Sequence, residues 1–342
     1  GGYGSFGGIL LSASISDRNI FGSGINMGFS AETSQRTKSF SVNVSNPRLN
    51  DSDYSGSASV YTNETDYDDY TISTDGIGLG LGKRLSRFLS GSLNYTYAQS
   101  QYSDIADDVN LTNVDQVLFE DYEKSAVSVS LRYDDTDDFY LPRSGIAAST
   151  SFEFAGLGGT AKFIKNNNTF KAYKGVEDYV GFDLIFRYKA RFAHIFYDDT
   201  AEDARTNLPT AERFCMGGVG SVRGYESYTL SPRDYLDRRI GGRTMFTNSL
   251  EASFPLVPKA KLRVTAFCDY GWLEGKGQDY DPTALDPLAL PLQTETIGRS
   301  SYGAAIEWFS PMGPIQLIFA RALDAKPNDQ TSTFEFTIGQ RF

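Results

Sequence analysis

The 342-residue sequence offers few side chains for covalent or metal chemistry. It contains one histidine, His194, and two cysteines, Cys215 and Cys268. These are too few for an ordinary zinc site, and a serine or cysteine nucleophile needs a base within reach. His194 lies on the apolar side of an alternating segment, which favours a structural role. The composition therefore predicts a protein that is not an enzyme, with no catalytic residues, no metal site and no cofactor.

The most distinctive stretch is a glycine-rich segment at residues 217–225 that contains one arginine, Arg223. It lies within a connection of roughly 45 residues between two strand-like segments, and a connection of that length is functional or disordered. Apolar side chains such as Phe214, Met216 and Val219 argue against disorder. Arg223 stays charged at any working pH, so it needs a partner if it is buried. The stretch predicts a folded loop, and burial of Arg223 would require carboxylates elsewhere in the chain.

The overall composition is that of a β-rich protein. Tyrosine (21), phenylalanine (24) and glycine (33) are abundant, and aromatic residues favour strands while glycine marks turns and bulges. A net charge of −11 argues against a nucleic-acid partner, and we expect none. No apolar run reaches the roughly 18 residues of a membrane helix. The strands of a transmembrane barrel alternate in polarity and would leave no such run.

Polar and apolar residues alternate with a period of two from one end of the chain to the other. For example, Phe186 and Tyr188 alternate with Arg187 and Lys189. One face of such a strand is apolar and the other charged, which suits a soluble sandwich or a barrel in lipid with a wet interior. About sixteen segments follow the pattern. They are residues 1–5, 9–21, 24–34, 37–47, 55–66, 70–82, 85–100, 121–135, 145–156, 160–174, 178–195, 241–255, 261–273, 297–310, 313–322 and 332–342.

The connections between these segments tend to alternate between short and long, and the long ones are polar and mostly acidic. Transmembrane barrels have this arrangement, with tight periplasmic turns and long outer loops. No repeat of fixed length is present, which argues against a propeller. The last segment is amphipathic and ends on an aromatic residue, Phe342. These features favour an all-β transmembrane antiparallel β-barrel of about sixteen strands over a soluble sandwich.

Three features together resemble the C-terminal barrel of the BamA family of outer-membrane-protein assembly factors. The first is Val-Arg-Gly-Tyr at 222–225 in a long late loop, and the second is Phe-Cys-Asp-Tyr-Gly at 267–271. The third is the terminal strand at 333–342. The resemblance covers essentially the whole chain. It implies a single barrel domain over residues 1–342, with the loop 196–240 folded into the lumen.

The resemblance also implies that the arginine of the loop engages acidic residues of the barrel wall. Alternation places Glu251 and Asp269 on the lumen-facing sides of neighbouring strands, so either carboxylate could hold Arg223. We name the predicted set of loop and wall residues the loop-lumen lock. It consists of Val222, Arg223, Gly224, Tyr225, Glu251 and Asp269.

For function, the resemblance implies assembly and insertion of β-barrel proteins in the outer membrane of a Gram-negative bacterium. The first and last strands would meet at a seam that opens sideways and pairs with a strand of the incoming protein. Partners would be nascent outer-membrane β-barrel proteins, accessory lipoproteins of the assembly complex, upstream POTRA domains, membrane lipid and lipopolysaccharide. The seam residues would be Gly1, Gly2, Tyr3, Gly4, Phe336, Ile338 and Phe342.

Alternatives within the same fold class stay open at this point. Members of the resembled family carry POTRA domains before the barrel, and none is present here, so we read the chain as the barrel part of a longer protein. A two-partner-secretion or related transporter of the same superfamily shares the loop motif and would pass a soluble polypeptide through its lumen. A passive porin, in which the long loop only constricts the pore, is a further alternative.

Overall fold

The computed structural model describes residues 2–105, 119–198, 207–233, 238–274, 296–310 and 313–338. These residues form an all-β ring in which every strand is antiparallel to its neighbours in the chain and the first strand pairs with the last. The strands are β1 (Gly2–Gly4), β2 (Gly8–Asp17), β3 (Asn26–Thr33), β4 (Thr37–Asn46), β5 (Tyr54–Asp66), β6 (Thr71–Arg84), β7 (Leu89–Ser103), β8 (Tyr122–Asp134), β9 (Ser144–Gly159), β10 (Phe163–Gly175), β11 (Ile185–Phe196), β12 (Thr244–Val257), β13 (Leu262–Leu273), β14 (Ile297–Ser310), β15 (Gly313–Ala322) and β16 (Phe334–Ile338).

The helical elements described in full are short turns. Among them, the α-helix α1 (Glu177–Val180) lies between β10 and β11. The 3-10 turns are Ile20–Gly22, Leu49–Asp51, Thr210–Glu212 and Pro258–Ala260. No helix in the described part of the chain is long and apolar enough to cross a membrane.

The strands expose an apolar surface and bury a polar one. On β13, Arg263 and Asp269 are buried, whereas Cys268 and Tyr270 on the opposite face are exposed. Exposed leucine, valine and phenylalanine side chains recur around the ring. A barrel in lipid has this distribution, with its apolar residues outside and its polar residues in the lumen. The predicted barrel of about sixteen antiparallel strands is therefore confirmed.

The ring closes where β1 meets β16. Among the described residues, Tyr3 lies opposite Ile338 at this junction. Elsewhere the walls are long ladders, such as that of β10 and β11, which pair continuously from Ile164 opposite Phe196 to Gly175 opposite Ile185.

Each predicted segment overlaps a strand, but several predicted boundaries are wrong by three residues or more, as at β7, which begins at Leu89 rather than at 85. β11 begins at Ile185 rather than at 178, because α1 and the left-handed Gly181 (φ 75°) turn the chain before the strand starts. β2 ends at Asp17 rather than at 21, because the chain enters the 3-10 turn Ile20–Gly22. The predicted terminal residues Gly1 and Phe342 lie outside the described residues.

The interior of the barrel is filled by the long connection between β11 and β12. Its apolar side chains, among them Met216, Val222 and Tyr225, are almost fully buried in one cluster with residues of the wall. Gly271 of β13 makes room for this packing. A Cβ atom at Gly271 would lie 2.5 Å from Cγ2 of Val222 and 2.9 Å from Sδ of Met216. The missing side chain therefore allows the loop to approach the wall.

We predict that Gly271→Ala displaces the loop from β13 and destabilises the barrel by about 1–3 kcal/mol, as overpacking does in other cores. Thermal unfolding and protease cleavage of the loop measure the two effects. The matched control is Gly298→Ala on the neighbouring strand, where the nearest atom to a new Cβ is the Tyr270 hydroxyl at 3.7 Å. Equal behaviour of the two variants would contradict this account of the packing.

Candidate functional site

Arg223 lies inside the barrel, 7% exposed, with its guanidinium against β12 and β13. Its Nε and Nη2 donate to the two carboxylate oxygens of Asp269, each at 2.7 Å, and its backbone N–H donates to the same carboxylate at 3.1 Å. Nη1 lies 3.0 Å from Oε1 of Glu251, and Nη2 also donates to Oγ of Ser249 at 2.7 Å. The guanidinium carbon is 3.5 Å from the centroid of the Phe267 ring. A two-pronged pairing with a carboxylate fixes both the distance and the orientation of the arginine.

The strand register brings these wall residues together. Ser249 and Glu251 lie two positions apart on β12 and share its inner face, while Asp269 lies directly opposite Ser249 on β13. Burial opposes the charge of Arg223, but Asp269 and then Glu251 outweigh it, so the pKa of Arg223 is raised above its ordinary value. The arginine is therefore held as a cation by two carboxylates of adjacent strands.

Gly224 meets a backbone requirement beside the arginine. Its φ is +89°, and a Cβ atom there would lie 3.3 Å from Cβ of Ala320 and 3.3 Å from the backbone nitrogen of Ala322. A side chain would be strained in this conformation and crowded against β15. The glycine of the Val-Arg-Gly-Tyr motif is thus needed for the loop to turn against the wall.

The partners of Arg223 belong to a larger network of buried charges. Glu251 also lies 3.2 Å from Nζ of Lys189 and 3.5 Å from Nη1 of Arg187. Arg187 in turn donates to both carboxylate oxygens of Glu307, each at 2.9 Å. Four strands of the wall, β11 to β14, therefore share one ionic cluster with the loop.

A second contact, which sequence reasoning missed, anchors the loop to the opposite wall. Glu212 pairs with Lys124 of β8 at 2.7 Å and with Lys165 of β10, and it accepts a hydrogen bond from Tyr122 at 3.3 Å. Burial opposes ionisation of Glu212, but the ammonium groups of Lys165 and Lys124 outweigh it and hold the pKa of the carboxyl well below its usual range. The charges are reversed relative to the Arg223 contact, since here the loop supplies the carboxylate.

A third contact, also missed, joins the end of the loop to the turn between β5 and β6. Arg239 pairs with Asp69 and, at 3.2 Å, with Asp68. Arg239 is buried, whereas Asp68 is partly exposed. Together the three ionic contacts hold the loop to walls on different sides of the lumen.

The loop also contacts the segments that flank the two strands of the seam. The backbone N–H of Glu226 donates to the carbonyl of Gln330 at 2.9 Å, and that of Ser332 donates to the carbonyl of Gly224 at 3.1 Å. Gln330 and Ser332 lead directly into β16. Tyr228 packs edge-on against Phe6 of the β1–β2 turn, with ring centroids 5.0 Å apart. The residues after Arg223 therefore contact the segment after β1 and the segment before β16.

The described seam residues lie where β1 meets β16. Gly2, Tyr3 and Gly4 form β1, and Tyr3 pairs with Ile338. The backbone N–H of Phe336 donates to Oγ of Ser5 at 3.3 Å. Their pairing with an incoming strand stays a prediction, and Gly1 and Phe342 lie outside the described residues.

The few side chains that could act as a base, a nucleophile or a metal ligand show no catalytic arrangement among the described residues. Nδ1 of His194 lies 2.7 Å from Oγ1 of Thr244 on the neighbouring strand. Cys215 and Cys268 are both free. Across the described ranges, no three histidine, cysteine or acidic side chains group as a metal site. The candidate site is therefore the set of ion pairs that fixes the conformation of the loop in the lumen.

Glu335 of β16 differs from the paired carboxylates of the lumen. It is 2% exposed, and neither of its carboxylate oxygens has a hydrogen-bond partner among the described residues. It lines a cavity of about 280 Å³ between the seam and the loop, together with Ser5, Phe6 and Ser227. No described protein group therefore offsets the cost of burying its charge next to the junction at which the barrel closes.

The fold and the site define an outer-membrane β-barrel that crosses the bilayer with its strands and holds one of its own loops in the lumen. The Omp85 superfamily domain matches residues 19–342, and the chain belongs to the Omp85 superfamily. Its sequence is 29% identical over 346 residues to the outer membrane protein assembly factor BamA of Nitratidesulfovibrio vulgaris, covering 100% of this chain and 41% of that protein. The predicted resemblance to the BamA family is confirmed, and the chain is a multi-pass barrel of a Gram-negative outer membrane.

Solved structures agree on the fold. BamA from Haemophilus ducreyi lacking POTRA domains 1–3 superposes with a TM-score of 0.84 at 20% identity, over 100% of this chain and 69% of that one. CdiB from Escherichia coli superposes with a TM-score of 0.61 at 16% identity, over 98% of this chain and 61% of that one. The barrel is thus more similar in shape to BamA than to this CdiB.

We predict that Arg223→Ala frees the loop, because it leaves Asp269 and Glu251 buried without their shared cation. Removing one partner of a buried pair typically costs about 3–5 kcal/mol. Amide hydrogen exchange over residues 217–225 should rise sharply, and Arg223→Lys should restore only part of the protection because it lacks the two-pronged geometry.

The control for this prediction is Arg143→Ala. Arg143 is partly exposed and pairs with Glu177 and Asp183 in turns outside the lumen. An exposed pair contributes about 0–1 kcal/mol. If exchange in the loop rose equally in both variants, Arg223 would not be what holds the loop.

We predict that Glu335→Gln raises the thermal stability of the barrel, because it removes an unpaired buried charge and nearly keeps the shape. The gain comes from the lost charge alone, because the glutamine amide stays without a partner, and it should grow as the pH rises. Glu251→Gln is the matched variant in the opposite direction, since Glu251 has three cationic partners and its neutral form would leave them uncompensated. Thermal unfolding at mildly alkaline pH tests the pair, and a loss of stability in Glu335→Gln would refute the interpretation.

Proposed function

We propose that this chain assembles and inserts β-barrel proteins into the outer membrane through the seam between β1 and β16. The observation that carries the proposal is the closing junction itself, where glycine-rich β1 meets β16 and the loop after Arg223 contacts the segments that flank both strands. The relatives named as outer membrane protein assembly factors support it. The chain spans less than half the length of these relatives, so the activity is proposed for the longer protein of which such a barrel is part.

The mechanism we propose is strand addition at an edge. When β1 and β16 separate, each presents unpaired backbone N–H and C=O groups, which template an added strand. β1 is short and has glycine at positions 2 and 4, and a glycine-rich strand specifies its register weakly. A strand of an incoming barrel protein would take the vacated backbone partners and then fold onward hairpin by hairpin. No covalent chemistry is needed, so the proposed activity is not enzymatic.

The loop-lumen lock would set the position of the loop beside this seam. Arg223 fixes the loop to β12 and β13, while Gly224 and Glu226 bind the residues that lead into β16. Loss of Arg223 would therefore disturb the seam as well as the lumen. The proposed partners are nascent outer-membrane β-barrel proteins, upstream POTRA domains, accessory lipoproteins, membrane lipid and lipopolysaccharide.

The second candidate is transport of a soluble polypeptide through the lumen. The likeness to CdiB, at a TM-score of 0.61 and 16% identity, shows the shared fold and does not by itself favour transport. The packing of the lumen argues against it, because the loop is held there by three separate ionic contacts and a buried apolar cluster. A transported chain would have to displace all of them.

We predict that a cysteine in β1 crosslinks to the last strand of a stalled client barrel in cells. Cys215 and Cys268 are first replaced by serine in the full-length protein, and Gly2→Cys is then paired with single cysteines along the client strand. Strand pairing fixes one register, so crosslinks should be limited to one client position and its immediate neighbours.

Thr265→Cys provides the lumen control, since Thr265 is fully buried on the inner face of β13. Crosslinks from this position to a secreted soluble chain, with none from Gly2→Cys, would contradict the assembly function and support transport through the lumen. Cell growth with Arg223→Ala and with Arg143→Ala adds an independent readout. Assembly should fail only in the first, and equal growth would remove the lock from the mechanism.

A further inference from the structure

A groove crosses the outer, lipid-facing surface of the barrel from β4 to β8. Its volume is about 580 Å³, and its lining is almost entirely apolar. We call it the outer groove. Five of its lining residues form one row of directly paired positions on successive strands, which are Val44, Ala58, Leu79, Tyr95 and Val127.

Small residues on β5 create the depression. Gly56 and Ala58 face outward between the leucines of β6, where Leu79 and Leu81 are 57% and 49% exposed. Leu49, from the 3-10 turn before β5, folds across Gly56, where a Cβ atom would lie only 2.9 Å from its Cδ1. The groove is therefore an apolar channel between raised leucine side chains, and one end of it lies beside the β4–β5 turn.

Positive charge lies at that end of the outer groove. Lys83 follows Leu81 on the outward face of β6, with its ammonium 3.1 Å from the Tyr54 hydroxyl and 4.4 Å from the centroid of the Tyr54 ring. Arg48 is exposed beside Leu49. Neither Lys83 nor Arg48 forms an ion pair with a carboxylate anywhere in the described part of the chain.

Two basic residues at and beside the β8–β9 turn do form ion pairs. Arg132 pairs with Asp134 at 2.8 Å, and Arg143 pairs with Asp183 at 2.7 Å. At the outer groove, two cations without a carboxylate partner among the described residues lie beside a tyrosine hydroxyl and an apolar channel. Phosphate is an anion that arginine and lysine side chains and tyrosine hydroxyls bind well. A lysine on an apolar surface can also extend its alkyl chain so that its ammonium reaches the membrane interface.

The end of the barrel at which the groove lies identifies the leaflet. The long connections, between β7 and β8, β11 and β12, and β13 and β14, lie at the opposite end of the barrel, and bacterial barrels have their long loops outside and their short turns on the periplasmic side. We propose that the outer groove is a binding site for one anionic glycerophospholipid of the periplasmic leaflet. Its acyl chain lies along Ala58 beside Leu79, and its phosphate lies against Lys83 and Arg48. This site is independent of the proposed assembly function, because it lies on strands remote from the seam.

The test is native mass spectrometry of the delipidated full-length protein in detergent, titrated with phosphatidylglycerol. Ala58→Leu fills the channel, and the double variant Arg48→Gln with Lys83→Gln removes the charges. Both should lose the tightest-bound lipid, with affinity falling about fivefold for each charge removed. The controls are Ala148→Leu, an outward alanine opposite Phe170 on another part of the surface, and Lys259→Gln in the β12–β13 turn.

Two results would overturn the proposal. Equal retention of phosphatidylglycerol by all variants would mean that the lipid is part of the general lipid belt and not bound at a site. Equal or tighter binding of lipid A would assign the charges to the other leaflet. The channel variant and the charge variant are independent, so a folding defect in one leaves the other to decide.

Discussion

Backbone hydrogen bonding inside a bilayer leaves a β-sheet one solution, which is to close on itself so that no strand edge faces lipid. Long antiparallel ladders such as that of β10 and β11 meet this constraint well. The junction of β1 with β16 closes the ring, with Tyr3 opposite Ile338 as its described pair. Opening it would expose two strand edges, each able to pair with another strand. The proposed function uses this junction as the place where an incoming strand is accepted.

Closure also produces a polar lumen. The ion pairs within it fix the position of the loop more than they stabilise the barrel. The desolvation of a buried ion pair offsets much of its attraction, while the loss of one partner is strongly destabilising. Glu251 shows the consequence, since it is shared among Arg223, Arg187 and Lys189. A change in any one of these cations alters the attraction between Glu251 and the other two. The position of the loop and the ionic order of the wall therefore form one cooperative unit, which disfavours partial displacement of the loop.

Local patterns in the sequence predict more of the fold than of the candidate site. The period-two alternation located every strand, because facing lipid or lumen is decided residue by residue. It failed at the start of β11, where α1 reverses the chain without an apolar stripe to reveal it. Glu251 and Asp269 could be assigned to the lumen by alternation and to Arg223 by family resemblance.

The contacts of Glu212 with Lys124 and Lys165 had no comparable signal. They join a loop to two strands that are not neighbours of each other, and strand parity says nothing about which inward residues meet across a lumen. The lack of a described partner for Glu335 could not be predicted for the same reason. A missing partner is recognised only when the positions of all the possible partners are known.

The loop connects the lumen to the seam over a very short distance. Arg223 binds Asp269, and the carbonyl of the next residue, Gly224, accepts the N–H of Ser332 at the entrance to β16. No extended pathway is required for such coupling, because the two contacts are one peptide unit apart. In the proposed mechanism, separation of β1 from β16 would either break the contacts of residues 224–228 with the segments that flank the seam or carry the loop along. The second route would also pull Arg223 from its buried carboxylates, so the first would cost less free energy. The lock would therefore keep the loop in the lumen while the seam opens.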